Sequence, residues 1–565
     1  MTGTAVTGHG TGHGTGQGTT VAELVGTALA RLGVGYAFGV VGSGNFHVTN
    51  ALRAAGVPFV ATRHEAGAAT AADAWARTAG RLAVLTVHQG CGLTNAMTGI
   101  TEAAKSRTPL LVLAADTGTG SVRSNFRIDQ DGLVRAVGAL TDRVHTPESA
   151  VADVVRAHRT VVEERRTVVL NLPLDVQAAP APDDWAPDGS TLPPVPAFAP
   201  VRPGAAAVQE LAGMLAAAQR PVFVAGRGAR GAGKELRELA AESGALLATS
   251  AVATGLFADD PWSLGISGGF ASPLAAELIR GADLLVGWGC ALNGWTTRQG
   301  TLIGPTTRVV QVDLDADAVG AHQPVHLGIL GDVAATASDV LAGLGDPRTA
   351  YRTDAVRAAI AERIRWCGVP YTDLTGPAGI DPRTLSIGLD QVLPRERVVA
   401  VDSGNFMGYP SACLSVPDEA GFCFTQAFQS VGLGLATAIG AALARPDRLP
   451  VAALGDGGAL MGAAELETVV RLGIPMVVVV YDDRGYGAEV HHFPDADHST
   501  VTFPDTDIAA IGRGYGMAAV TVREAADLKG VTDWLEGPRT QPLMVHAPIA
   551  SDGGSWWLAQ AFRGH

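Results

Sequence analysis

From Val21 onward the chain repeats one pattern: an Ala-rich helical stretch, a short unbroken apolar run, then a glycine-rich turn. VGYAFGVVG, RLAVLTVHQG and TPLLVLAAD are apolar throughout, as expected of parallel strands covered by helices on both faces. RRTVVLNLPLD closes this first block near Asp175, and the Pro-rich VQAAPAPDDWAPDGSTLPPVPAFAPVRPG that follows has no apolar period and reads as a linker. A second block opens at RPVFVAGRGA, continues through GADLLVGWG and TRVVQVDLD, and fades near Leu344. After a less regular helical connection, a third opens at RERVVAVDSG, with LPVAALGDG and IPMVVVVYDD, and ends near PLMVHAPIA. The alternation predicts an α/β protein of three doubly wound parallel-sheet domains. These are placed at 19–178, 201–345 and 381–553, with a linker at 179–200 and a connection at 346–380. Residues 1–18, rich in Gly and Thr, read as a disordered tail whose His9 and His13 are solvated rather than metal-binding. In the aromatic tail 554–565, Trp556 and Trp557 are expected to pack on the body of the protein.

Composition narrows the function classes. The 565 residues suit three or four domains at about 100–200 residues each. With 47% hydrophobic and 17% charged residues the chain can bury large cores. A net charge of −14 leaves no basic footprint for nucleic acid. No run of about twenty apolar residues predicts a membrane span, and no basic-then-apolar N-terminal segment predicts a secretory signal. Cys91, Cys290, Cys367, Cys413 and Cys423 show no CxxC spacing, which argues against a disulfide framework or zinc knuckle and fits a reducing cytoplasm.

Candidate chemistry lies at the carboxyl ends of the third block's strands, where open parallel sheets bind ligands. These ends read Asp402-Ser403-Gly404-Asn405-Phe406, Gly455-Asp456-Gly457-Gly458 and Asp482-Asp483-Arg484-Gly485. Glycines let backbone approach phosphate oxygens, and a helix expected to begin near Ala459 points its N–H groups at them. A carboxylate beside phosphate needs a cation between them, so Asp456 reads as a ligand for Mg²⁺ and Asp483 as a second. They are 27 positions apart, room for a helix and a strand. Taken alone, Gly-Asp-Gly is equally a tight turn and Asp-Asp an ordinary strand end.

GDGG followed at that interval by YDD resembles the signature of thiamine-diphosphate enzymes, in which an Asn pair follows GDG. RHEAGAATAADAWAR resembles the stretch carrying the catalytic glutamate of acetolactate-synthase-like enzymes, and GCGLTN their GPGATN turn. PWSLGISGG and TRVVQVDLD resemble their middle domain, and FQSVGLGLATAIGAALA the helix beneath the cofactor. The resemblance covers nearly the whole chain. It implies pyrimidine-binding, middle and diphosphate-binding domains, with thiamine diphosphate and Mg²⁺ as cofactors. It implies that Glu65 hydrogen-bonds the aminopyrimidine and drives its imino tautomer, and that Val431 wedges the cofactor into its bent shape. Ser403, Gly404, Asn405 and Phe406 match the loop at the diphosphate; Asn95, Gln429, Gly455, Gly457, Gly458, Tyr486 and Gly487 match further cofactor contacts. Asp456, Asp483 and Gly485 match the metal ligands. Asp482-Asp483 in place of the Asn pair adds negative charge, which Arg484 is expected to offset.

His88 and Ser43 fall where benzoylformate decarboxylase has its proton-relay histidine and active-site serine, and a histidine titrating near neutrality suits that role. The alternative is a histidine bracing the turn. Asn45, His47 and Gln89 from the same loops, and Tyr486, Glu489, His491 and His492 after the metal loop, are candidate substrate contacts; adjacent histidines face different sides of a helix and do not make a metal pair. The implied reaction is decarboxylation of a 2-oxo acid to an enamine that is ligated to a second carbonyl, as in acetolactate synthases. The alternatives are protonation of the enamine by a simple decarboxylase, or a non-catalytic cofactor-binding relative, against which Glu65, Asp456 and Asp483 argue. FAD in the middle domain would suit an oxidase, or the redox-silent FAD of some relatives; VAGRGARGAG departs from a GxGxxG fingerprint. The resemblance also implies a homodimer or homotetramer with active sites between chains.

Overall fold

The computed structural model describes residues 19–552 and 556–561. The tail 1–18, with His9 and His13, and residues 553–555 and 562–565 lie outside these. The described chain forms three six-stranded sheets in which every neighbouring pair is parallel. The first holds β1 (Tyr36–Gly39), β2 (Phe59–Ala61), β3 (Ala83–Val87), β4 (Leu110–Asp116), β5 (Leu140–Arg143) and β6 (Val168–Pro173), in the order β2-β1-β3-β4-β6-β5. The second holds β7 (Pro221–Ala225), β8 (Leu246–Thr249), β9 (Ser263–Ile266), β10 (Leu284–Trp288), β11 (Arg308–Asp313) and β12 (Leu327–Leu330), ordered β12-β11-β10-β7-β8-β9. The third holds β13 (Arg397–Val401), β14 (Phe422–Phe424), β15 (Leu449–Gly455), β16 (Val477–Asp482), β17 (Ala518–Thr521) and β18 (Leu543–Pro548), ordered β14-β13-β15-β16-β18-β17. The first and third sheets thus share one topology, and the expected three doubly wound α/β units are present.

The wholly apolar runs became interior strands such as β3, β7 and β16, buried along their length. Seven strands carry no such signal, and six of them (β2, β5, β9, β12, β14 and β17) are the outer strands of their sheets. They are three or four residues long. Most are partly exposed, so they need no unbroken apolar run. The seventh, β8, is inside its sheet but sits in an Ala-rich stretch, GALLATSAVATG, that resembles the helices around it.

One core joins the first and third sheets. The Glu65–Ala79 helix lies along the Gly434–Ala444 helix, the two meeting through Ala68, Ala71, Ala72, Ala438 and Ile439. A Cβ on Gly440 would sit 2.1 Å from the carbonyl oxygen of Ala71, so the backbones touch there. Trp557 is buried against Tyr409 and Phe270, and Trp556 stacks on Trp366 at 4.3 Å. The stretch between Ala178 and Ala205 carries no helix or strand, and Trp185 pins it to the first sheet's outer core.

Candidate active site

In the first sheet, β2, β1 and β3 are neighbours, so the loops after them share one edge. Ser43 follows β1, Glu65 follows β2 and His88 follows β3. The structure brings Ser43 and His88 together: Oγ lies 3.4 Å from Nε2. Nδ1 of His88 lies 3.0 Å from the carbonyl of Gln89, which can only accept, so the hydrogen sits on Nδ1 and Nε2 is the ring's base. Phe126 closes edge-on over the imidazole at 5.0 Å. Asn45 and Gln89 face inward instead. Asn45 donates to Val40 O and Thr86 Oγ1 and accepts from Gly42 N, and Gln89 is buried with its amide oxygen over Gly44. Asn45 thus braces its loop from within. His47 is exposed, its ring against Phe46.

Glu65 is the first residue of its helix, where His64 caps the turn by accepting from Ala66 N at 3.1 Å. Asn95 Nδ2 donates to Glu65 Oε2 at 3.1 Å. The approach to this helix is held by the third domain: buried Glu465 accepts the amides of Arg63 and His64 at 3.1 and 3.0 Å and the Thr468 hydroxyl at 2.6 Å.

The third sheet presents the second cluster at the adjacent ends of β13, β15 and β16. The helix after β15 begins at Asp456 itself rather than near Ala459, so Gly455 caps it and Gly457 and Gly458 lie in its first turn. Asp456 and Asp483 lie close enough for each carboxyl to act on the other. Burial, together with the charges of Asp483 and Asp482, pushes Asp456 up to about 8, and burial raises Asp483 as well. Two carboxylates this close, with few compensating donors, make a natural oxygen cradle for a hard divalent cation. Asn405 Nδ2 donates to Asp483 at 3.2 Å. A Cβ on Gly458 would lie 2.2 Å from Asp402 Oδ2 and one on Gly487 2.2 Å from Asp483 Oδ2, so neither position has room for a side chain. Tyr486 covers Gly457 and meets Phe503 edge-on, while Gly485 pairs with Thr502. His491 lies near enough for its charge to act on Asp483, and His492 is beside Phe493.

Three details differ from expectation. Asp482 is hydrogen-bonded to His546, 2.7 Å away, whereas Arg484 sends its guanidinium to Asp505; the partner of Asp482 comes from a strand that shows no motif. Phe406 is buried and stacked on Tyr481, so its ring belongs to the core and only its backbone remains to face a ligand. Asp402 has a structural task that the motif did not reveal. It accepts the amides of Ser403, Gly432 and Leu433, fixing the turn beside Val431, while burial pushes it up to about 7. Ser403 Oγ donates to Gln429 O at 3.3 Å on the same turn. No hydrogen bond or ion pair among the described residues joins Glu65 or His88 to Asp456 or Asp483.

Family models for thiamine pyrophosphate enzymes match all three units: the N-terminal TPP binding domain over 19–137, the central domain over 208–340 and the C-terminal TPP binding domain over 402–547. The chain belongs to the thiamine pyrophosphate enzyme family. The chain is therefore a thiamine-diphosphate-dependent enzyme, and both clusters lie in units matched by TPP binding domains. Its relatives include a probable 2-ketoarginine decarboxylase of Pseudomonas aeruginosa, 29% identical over 90% of each chain. A sulfoacetaldehyde acetyltransferase of Alcaligenes xylosoxydans xylosoxydans is 28% identical over 81% of this chain and 80% of its own. The acetolactate synthase isozyme 2 large subunit of Escherichia coli is 28% identical over 95% and 97%.

In the middle domain of this thiamine pyrophosphate enzyme the glycine-rich turn packs against the sheet. Gly226 and Gly228 donate their amides to Trp288 O and Gly289 O, and both press against the end of β10. These glycines serve packing within the sheet. Among the described residues no helix is long and apolar enough to cross a membrane.

Proposed function

We propose that the enzyme decarboxylates a 2-oxo acid and joins the remaining acyl unit to a second carbonyl, as a Mg²⁺-dependent carboligase of the cytoplasm. Thiamine diphosphate, when bound, supplies the carbon nucleophile and the electron sink for carbon dioxide loss. The close Asp456–Asp483 pair carries this reading, because its chemistry calls for the cation that anchors a diphosphate. In it, Asp456, Asp483 and the Gly485 carbonyl hold Mg²⁺, the turn Ser403–Asn405 with Gly455, Gly457, Gly458 and Gly487 lines the diphosphate, and Gln429, Val431 and Tyr486 line the rest of the cofactor. Glu65 holds the proton exchanged with the pyrimidine, steadied by Asn95. The domain limits 19–178, 201–345 and 381–553 are part of the same proposal.

The Ser43–His88 contact favours a second reading, a simple decarboxylase of the benzoylformate type, in which Nε2 of His88 takes up a proton through the Ser43 hydroxyl and then delivers it to product. One experiment separates the two. The full-length protein with thiamine diphosphate and Mg²⁺ is incubated with a panel of 2-oxo acids, following carbon dioxide and products. Hydroxyketone as the main product is expected, and carbon dioxide release from none of the acids rejects both readings. In His88→Ala the share released as aldehyde should fall, with cofactor affinity unchanged. An unaltered aldehyde-to-hydroxyketone ratio removes His88 from proton transfer, and a parallel loss of cofactor binding assigns it to bracing the GCGLTN turn.

The two clusters act on one cofactor, yet within a chain no hydrogen bond or ion pair among the described residues joins Glu65 or His88 to Asp456 or Asp483. The proposed active unit is therefore a homodimer or homotetramer whose sites combine the first sheet of one chain with the third sheet of its partner. Sedimentation of the holoenzyme should find no active monomer; full activity in a monomeric fraction refutes the shared site.

A further inference from the structure

The turn from Ala427 to Leu433 is held at both ends by buried carboxylates. Asp402 takes the amides of Gly432 and Leu433 at one end, from the same sheet. At the other end the carboxylate comes from the first domain. Glu102, fully buried in the Cys91–Lys105 helix, accepts Phe428 N at Oε2 (2.7 Å) and Ala427 N at Oε1 (3.2 Å). The same group receives Arg77 Nη2 at 2.8 Å and Ser106 Oγ at 3.0 Å. Arg77, on the helix that begins with Glu65, also pairs with Asp73 and donates to Phe424 O at 3.3 Å. Between the two clamps Gln429 takes a left-handed backbone (φ 60°) and Val431 is 37% exposed.

Burial works to raise the Glu102 pKa, but Arg77 and the two loop amides override it and hold the group below the usual glutamate range. Glu102 is therefore an ionised carboxylate with four donors, about the capacity of such a group. Nothing about helix formation asks for a charge there: the neighbouring positions Ile100, Thr101 and Ala103 are buried and uncharged. A buried charge costs stability unless every lone pair is used, and half of this one's donors come from the turn of another domain.

We propose that Glu102 is a positioning residue for the Gln429–Val431 turn, converting the docking of the first sheet on the third into the placement of Val431 toward the cofactor. This rests on the reading of Val431 as a cofactor contact.

The test uses the full-length protein. Glu102→Gln keeps the size but places an amide NH₂ against one of the two backbone donors. Calorimetric titration with thiamine diphosphate and Mg²⁺ should show about tenfold to hundredfold weaker binding, the scale of a hydrogen bond to a charged group. Turnover at saturating cofactor should recover, and hydrogen exchange at 427–431 should quicken while β3 and β4 keep their protection. Ser106→Ala removes a donor to the same carboxylate without touching the turn and should leave cofactor affinity as it is. Wild-type affinity and exchange in Glu102→Gln, or equal weakening in Ser106→Ala, overturns the proposal. Should Glu102→Gln not fold, exchange in the wild-type protein decides: Ala427 and Phe428 amides protected well beyond Gln429 support the clamp, and equal exchange overturns it. A wild-type protein that binds no thiamine diphosphate would instead reject the proposed function, while the exchange comparison still reports on the clamp.

Discussion

Glu65→Gln should lose about 10²–10⁴ of turnover, the range typical of a positioned acid–base group, while binding thiamine diphosphate nearly as tightly as the wild type. The amide preserves the length of the side chain and can still accept from Asn95, and Glu465 keeps its hold on the amides of Arg63 and His64. Only the carboxylate's ability to exchange a proton is removed. Steady-state kinetics and calorimetry on one preparation check this. Near-wild-type turnover would take Glu65 out of the chemistry, and loss of binding in step with turnover would make it a brace for the helix start.

Asp456→Ala should abolish Mg²⁺-dependent binding of thiamine diphosphate, because Asp483 alone leaves the cation one carboxylate. A ligand at about a hundred times its Kd stabilises a protein by about 2.7 kcal/mol, and in this variant Mg²⁺ with thiamine diphosphate should give none of that in thermal melts. The wild type carries a companion pH signature. The folded Asp456 is pushed from its ordinary 3.8 up to about 8, so in chelated protein its contribution to stability is complete below about pH 4 and is lost as pH rises through about 8. Mg²⁺ should flatten that slope, and Asp456→Ala should reduce it even in chelator, the remainder belonging to the other raised carboxyls, Asp402 and Asp483. Retained cofactor affinity in Asp456→Ala would overturn the metal site.

Legibility from sequence followed burial. Interior parallel strands, β8 excepted, were readable because both their faces are covered, and the glycine-and-aspartate strand ends were readable because small and acidic residues at such places have few other uses. The outer strands were not, since an element such as LTDR at β5 is partly exposed and resembles a loop. The braces were hidden for a different reason. Glu102 and Glu465 are single acids within helices, and only burial distinguishes them from the solvated acids common on helix surfaces. Acids next to apolar or small residues, as in GITEAAKS and AAELET, are the signal they leave. Arg484 was assigned to Asp482 by adjacency in the chain, whereas the partner, His546, arrives from β18, the neighbouring strand in space.

The seam where Ala71 receives Gly440 bears on how such a protein diverges. Its side chains are already among the smallest available, so mutational drift there runs in one direction, toward bulk. Each added methyl would part the two helices and draw the approach to Glu65, at Arg63 and His64, away from Glu465. On the proposed site, change of substrate is expected to fall on the loops after β1, β3 and β16 while the alanine seam stays constant, and a library aimed at new substrates would be placed in those loops.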